Sequence, residues 1–86
     1  SGPNEYLLRI IENDFPSIHK RFVKIFGITV REAEVLTWIA NGKSNSDIGS
    51  ILDLSPRTIN KHLERIFRKL SVENRTAAAA MALNAL

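Results

Sequence analysis

The sequence predicts an all-α fold, in which a small helical core follows one or two N-terminal helices. Apolar residues recur at spacings of three and four along most of the chain, and Ser, Thr or Asn precedes most of these stretches as a candidate N-cap. No stretch shows the strict apolar–polar alternation of a half-buried strand. The 86 residues suffice for one small domain with a modest core.

The N-terminal third predicts helices that lie outside this core. Residues 1–3 have the composition of a cloning remnant, and Asn4 is a candidate cap for a first helix. The run Phe15-Pro16-Ser17 interrupts that helix, and its serine can cap a second one that ends at Gly27. Residues 4–28 are therefore predicted to be an N-terminal helical extension or linker. The expected contacts of this extension with the core are made by Phe22, Ile25 and Phe26.

Residues 29–86 predict four further helices, each opened by its own cap. Thr29 and Glu32 have capping-box spacing, and the helix that they open ends at Asn41-Gly42. Asn74 caps a final alanine-rich helix. Trp38 is expected to be a partly buried packing residue on the outer side of the first of these four helices, with a partner-docking role as the alternative.

The two middle helices are separated by a tight turn. Ser44 opens the first helix and can accept from a first-turn N–H, while Asp47 can reach back to complete the box. The run Asp53-Leu54-Ser55-Pro56 breaks the helix and starts the next one with a serine cap and a proline at the first position. Gly49 allows close approach of the second helix. Two short helices in this arrangement are typical of a helix-turn-helix, which presents a helix face to the DNA major groove.

The helix predicted over residues 56–70 has two opposite faces. At about 100° per residue, its four large aliphatic residues fall within a narrow sector of the helical wheel and its charged residues fall on the other side. A basic face of this kind is also compatible with an ordinary solvated surface. The aliphatic set is Ile59, Leu63, Ile66 and Leu70, and the charged set is Arg57, Lys61, Glu64, Arg65 and Arg68.

The bulk composition excludes several classes of protein. Absence of cysteine rules out disulfides and thiolate metal sites, and neither His19 nor His62 has a carboxylate at ligand spacing, so no metal or cofactor is expected. No apolar run is long enough for a membrane span, and the composition is compatible with the cytoplasm. The net charge of +3 is weak, but positive charge is concentrated in residues 57–69. Ser55, His62 and Asp53 are better explained by capping and turn roles than by a hydrolase triad, so no enzyme is predicted.

Residues 29–86 resemble the LuxR-type (FixJ/NarL/GerE-like) helix-turn-helix output domain of bacterial transcription regulators. The resemblance covers about two-thirds of the chain, and the ordered series of motifs is more specific than any single one. The matching motifs are Thr29-Val30-Arg31-Glu32-Ala33-Glu34-Val35-Leu36, Gly42-Lys43-Ser44-Asn45, Ile48-Gly49, Leu54-Ser55-Pro56-Arg57-Thr58-Ile59-Asn60-Lys61-His62-Leu63, Ile66-Phe67-Arg68-Lys69-Leu70 and Asn74-Arg75-Thr76-Ala77.

The resemblance implies sequence-specific binding of double-stranded DNA, with helix 56–70 in the major groove and a homodimer formed through helix 75–85. The implied base contacts are Asn60, Lys61 and Glu64, with adenine, guanine and cytosine as the respective expected bases. The implied phosphate contacts are Lys43, Ser44, Asn45, Arg57, Thr58, Arg65, Arg68 and Lys69. The implied dimer contact is the small-residue stripe Ala78, Met81, Ala82 and Ala85.

Some positions depart from the family pattern, and some interpretations stay open. Asp53 and Ser71 stand where glycine is common, and Asn60 stands where lysine is common. Glu64 can instead pair with Arg68 at i,i+4 spacing, and the alanine stripe can simply pack on the core. An ion pair between Arg75 and Glu34 is a further structural expectation. The alternative function is a protein-interaction module of the same fold that docks on RNA polymerase or another regulator without reading sequence.

Overall fold

Five helices make up the part of the chain that the structure describes. The computed structural model describes the backbone of residues 3–86 and the side chains of residues 14–86. The predicted all-α fold is confirmed, and this part of the chain contains no strand. The expectations for residues 1–2 and for the Asn4 cap lie outside the described residues and side chains. The helices are α1 (Pro3–Phe26), α2 (Val30–Ala40), α3 (Asn45–Leu52), α4 (Pro56–Leu70) and α5 (Arg75–Asn84).

The N-terminal extension is one helical stretch with a kink, where the sequence had predicted an interruption at residues 15–17. The kink lies at Asp14, whose φ of −149° and ψ of 40° are not helical. Pro16 lies two residues later, so it occupies the first turn after the kink, where its missing N–H costs little. Ser17 lies within α1 and caps no second helix, so the prediction of a Ser17 cap is wrong. Gly27 ends the helix with a φ of 66°, as expected.

The predicted caps of the four following helices are confirmed. Thr29 and Glu32 form a reciprocal capping box, with the Thr29 N–H donating to Glu32 Oε1 at 2.8 Å and the Glu32 N–H donating to Thr29 Oγ1 at 3.1 Å. The Ser44 hydroxyl accepts from the Asp47 N–H at 3.1 Å, but this turn, which lies wholly within the described residues, has no reciprocal bond to the Asp47 carboxylate. Ser55 and Asn74 cap α4 and α5 by accepting from the N–H groups of Thr58 and Ala77.

Helix α2 lies at the centre of the core and packs against α1, α4 and α5. Ala33, Leu36, Ile39 and Ala40 of α2 are buried. Ile25 of α1 and Ile51 of α3 are about half exposed, so the expected packing of Ile25 is wrong. None of the described helices is long and apolar enough to cross a membrane. The largest fully buried apolar side chains are Phe22, Val35, Leu36, Ile48, Ile59 and Ile66.

Candidate nucleic-acid interface

The turn between α3 and α4 sets how the two helices meet. Asp53 ends α3 in the left-handed region with a φ of 57°, a conformation that Asp tolerates better than most residues. A Cβ added at Gly49 would lie 2.5 Å from the carbonyl oxygen of Leu54, so only glycine fits here without a shift of the backbone. The part of the chain that approaches Gly49 closely is therefore the backbone of the turn, at Leu54. Ser55 then caps α4, and Pro56 is its first residue.

Helix α4 divides into the two faces that the sequence predicts. Ile59, Leu63, Ile66 and Leu70 are buried in the core. Opposite them lies a solvent-exposed face that carries five basic side chains and one acidic one. This exposed face is Arg57, Asn60, Lys61, Glu64, Arg65, Arg68 and Lys69. The implied base contacts and four of the eight implied phosphate contacts therefore lie on one surface.

Two exposed residues on the flanks of this face contact the rest of the domain. Asn60 Oδ1 accepts from Asn45 Nδ2 at 2.7 Å, which ties the face to the start of α3. Lys69 Nζ lies 2.8 Å from Glu32 Oε1, which ties the end of α4 to the start of α2. Among the described side chains, no hydrogen bond or ion pair joins Glu64 to Arg68, so that alternative pairing is absent from the structure.

The Glu32 carboxylate is buried, and its charge is stabilised by its neighbours. Burial by itself raises the pKa of Glu32. Hydrogen bonds from the Lys69 ammonium and the Thr29 backbone, together with the Lys69 charge, outweigh burial and leave the pKa below its ordinary value. Glu32 therefore stays ionised at neutral pH and holds Lys69 against α2. Lys69 is thus a brace within the fold, a role that the sequence did not reveal.

The remaining implied phosphate contacts lie at the starts of α3 and α4. Ser44 and Asn45 open this helix, next to the half-buried Lys43. The Arg75 guanidinium donates to Asn45 Oδ1 at 2.5 Å and to the carbonyl oxygen of Lys43. Thr58 contributes its N–H to the Ser55 cap, and its hydroxyl lies 3.0 Å from the Ser55 hydroxyl. The start of α3 is therefore tied to the start of α5, and the first turn of α4 is held by its own cap.

Arg75 occupies a place in this surface that differs from the one predicted. The expected pair with Glu34 is wrong, because Glu34 lies 3.7 Å from Arg31 on its own helix. Arg75 is the first residue of α5 and reaches the start of α3, 30 positions earlier in the chain. The sequence carries no local signal for this contact, because it depends on how α5 packs.

The alanine stripe of α5 faces the core and not the solvent. Ala78 and Ala82 are fully buried, so the prediction that they touch a second copy is wrong. Met81 and Ala85 are half-buried and pack against the same core. At about 100° per residue, the opposite face of the helix contains Thr76, Ala80 and Leu83, and all three are exposed.

An apolar groove in the described residues lies away from α4. It has a volume of about 560 Å³ and is lined by α1 and the start of α2. Phe15 stacks on His19 with ring centroids 5.6 Å apart and meets Trp38 edge-on at 5.1 Å. Trp38 is thus the half-buried packing residue that the sequence predicts.

Comparison with known proteins decides the family. Residues 27–82 match the family described as bacterial regulatory proteins, luxR family. The chain belongs to this family. A luxR-family domain is a helix-turn-helix module of transcription regulators, and the polar and basic surface of α3 and α4 belongs to such a module. No solved structure matches the chain significantly.

Several relatives of this luxR-family domain are named as transcription regulators. The chain is 45% identical over 60 residues to the uncharacterized transcriptional regulatory protein YhcZ of Bacillus subtilis, covering 70% of the chain and 28% of that protein. It is 46% identical over 56 residues to the transcriptional activator protein BjaR1 of Bradyrhizobium diazoefficiens, covering 65% and 23%. It is 41% identical over 59 residues to the transcriptional repressor ThaA of Burkholderia thailandensis, covering 69% and 25%. The domain thus spans about a quarter of the length of each of these relatives.

Proposed function

We propose that this luxR-family domain binds a specific DNA sequence by placing α4 in the major groove. The observation that supports this most directly is the separation of α4 into a buried aliphatic face and an exposed face with five basic residues. An α-helix fits the major groove of B-DNA, where each base pair presents a distinct set of donors and acceptors. The residues proposed to contact base edges are Asn60, Lys61 and Glu64.

The proposed phosphate contacts flank this base-reading group. Arg57, Arg65 and Arg68 are exposed, and none of them has an ion pair or side-chain hydrogen bond among the described residues. Lys43, Ser44, Asn45 and Thr58 lie at the two helix starts, where backbone N–H groups favour an anion. Because its ammonium group is held by the buried Glu32, Lys69 is left out of this proposed set.

We further propose that two copies meet through α5 when the domain is bound to DNA. The burial of Ala78 and Ala82 moves the proposed contact to the opposite face, which is formed by Thr76, Ala80 and Leu83. A second copy placed through this face would present a second α4 to the next half-site, about one helical turn away. Residues 4–28 are proposed to connect the domain to a further part of a regulator.

The experiment that tests DNA reading is selection from a pool of randomised double-stranded DNA. Enrichment of a defined sequence, with an affinity that falls steeply as salt concentration rises, is the expected result. The alternative function, docking on RNA polymerase or another regulator without sequence reading, predicts that no sequence is enriched. It also predicts that the domain binds no DNA even at low salt.

A further inference from the structure

Three side chains connect the start of α5 to the exposed face of α4. Arg75 Nη1 donates to Asn45 Oδ1 at 2.5 Å, and Asn45 Nδ2 donates in turn to Asn60 Oδ1 at 2.7 Å. Arg75 and Asn45 are half-buried, whereas Asn60 is exposed among the proposed base contacts. The second donor group of Arg75 is bound to the Lys43 carbonyl oxygen, which fixes the guanidinium between α3 and α5.

We call the hydrogen-bonded series Arg75–Asn45–Asn60 the relay. The chemistry of its three groups allows only one direction of donation along it. A guanidinium has only donors, so Asn45 must turn its oxygen toward Arg75. The NH₂ group of Asn45 is then left to face Asn60, and Asn60 must turn its own oxygen inward to accept from it. The oxygen and the nitrogen of a side-chain amide are otherwise hard to distinguish. Here the guanidinium of Arg75 can only donate, so it fixes the orientation of the Asn45 amide, and Asn45 in turn fixes that of Asn60.

We infer that Arg75 is a specificity-positioning residue that acts through Asn45 to hold Asn60 with its NH₂ group facing the DNA. This inference rests on the proposed function, because it concerns how the same surface reads bases. An Asn that pairs with adenine needs its oxygen for the N6 amino group and its NH₂ group for N7. The relay draws the Asn60 oxygen inward, so the side chain favours a base edge with acceptors alone. Guanine, which presents N7 and O6, fits this requirement better than the adenine that the sequence predicts.

The most direct test reverses the second hydrogen bond of the relay. Asn45→Asp keeps an acceptor for Arg75 but has no donor for Asn60, so Asn60 must donate its NH₂ group inward and turn its oxygen outward. A carboxylate at the first position of α3 is favoured by the helix dipole, so the fold is expected to tolerate it. A second variant, Arg75→Met, keeps an unbranched side-chain stem but removes the donors that give the relay its direction.

The measurement is the base preference of each variant in a pool of randomised double-stranded DNA, sequenced before and after binding. Asn60→Ala first identifies the operator position that Asn60 reads. At that position the unmodified domain is expected to prefer guanine over adenine by about three- to tenfold, which is the value of one hydrogen bond. Asn45→Asp is expected to shift the preference to adenine or cytosine, whose amino groups donate. Arg75→Met is expected to reduce the preference to about twofold or less.

The control is Arg68→Met, which also removes one positive charge but lies outside the relay. It is expected to weaken binding to all sequences alike and to leave the preference at the Asn60 position unchanged. Circular dichroism verifies that each variant is folded. An unchanged base preference in both folded relay variants overturns the inference. An Asn60→Ala variant that alters the base preference at no operator position also overturns it. In either case, sequence selection by the unmodified domain would leave the proposed function intact. If the unmodified domain enriches no sequence, the proposed function fails and the inference fails with it.

Discussion

Lys69 Nζ lies 2.8 Å from Glu32 Oε1, so the last turn of α4 is joined to the capping box that opens α2. The same carboxylate oxygen accepts from the Thr29 N–H at 2.8 Å, and Glu32 is only 2% exposed. A single buried carboxylate therefore fixes the start of one helix and the end of the helix that is proposed to enter DNA. Glu32 is buried, whereas Lys69 is partly exposed. Loss of the pair should therefore lower the stability of the fold, because the buried carboxylate would be left without its partner.

The first prediction concerns this pair. Lys69→Met should lower the free energy of unfolding by about 1–3 kcal/mol, because it leaves a buried carboxylate without its cationic partner. Arg68→Met is the matched control, since it removes a neighbouring exposed cation and should change stability by less than about 0.5 kcal/mol. Urea unfolding followed by circular dichroism measures both. Equal stability of the two variants would show that the ion pair does not brace the fold.

A second prediction follows from the two shifted pKa values. Burial lowers the pKa of His19 below its ordinary 6.5, with Glu34 opposing the shift, so the folded state favours the neutral ring. The stability that depends on neutral His19 is complete above pH 6.5 and is lost as the pH falls through the folded-state pKa. The carboxylate of Glu32, whose pKa is also lowered, adds a second loss below its ordinary value of 4.5.

The melting temperature should therefore fall as the pH drops below 6.5 and fall again as it drops below 4.5. His19→Phe keeps a ring stacked on Phe15 and removes the titrating group, so it should flatten the first decline and leave the second one. Melting curves recorded at half-unit steps of pH test this. If the variant shows the same first fall in melting temperature, a group other than His19 causes that fall.

The sequence predicted the features of this domain that depend on neighbouring residues. A cap acts on an N–H three positions away, and the faces of α4 follow from its own periodicity, so Thr29, Ser55 and the aliphatic face could be assigned without a structure. Arg75 was assigned the wrong partner, because its contact with Asn45 depends on the packing of α5 across 30 residues of chain. The alanine stripe was misread for a related reason. Small residues suit a close contact with either the core or a second copy, and only the packing of α5 distinguishes the two.

The third prediction tests the tight approach of the turn to α3. Gly49→Leu should destabilise the domain by about 1–3 kcal/mol, because its Cβ would overlap the Leu54 carbonyl and the turn would have to move. Ser50→Leu places the same side chain one residue later, at an exposed position of the same helix, and should have little effect. An unchanged melting temperature for Gly49→Leu would contradict the described packing of the turn.

The fourth prediction separates the two proposed kinds of DNA contact. Lys61→Ala should relax the preference at one or two base pairs and cost about 1–3 kcal/mol on the selected site. Arg68→Ala should weaken all sequences by a similar factor and lower the slope of log affinity against log salt by about one unit. Titrations on the selected site and on a scrambled duplex, at several salt concentrations, distinguish them. If both variants lose specific and non-specific binding in the same proportion, the proposed division into base and phosphate contacts is wrong.

The last prediction concerns assembly on DNA through the exposed face of α5. Leu83 is 41% exposed, so Leu83→Arg should leave the domain folded. It should also abolish cooperative binding to an operator with two half-sites, because two arginines would meet at the proposed contact. Binding to a single half-site should be unchanged.

Ala82→Arg on the same helix is the informative contrast. Ala82 is fully buried, so an arginine there should unfold the domain and abolish binding to one and to two half-sites alike. Gel-shift titrations on both operators, with melting curves for each variant, separate a lost contact from a lost fold. Cooperativity that survives Leu83→Arg would place the contact between the two copies outside this face of α5, and a stably folded Ala82→Arg would contradict the packing of α5 against the core.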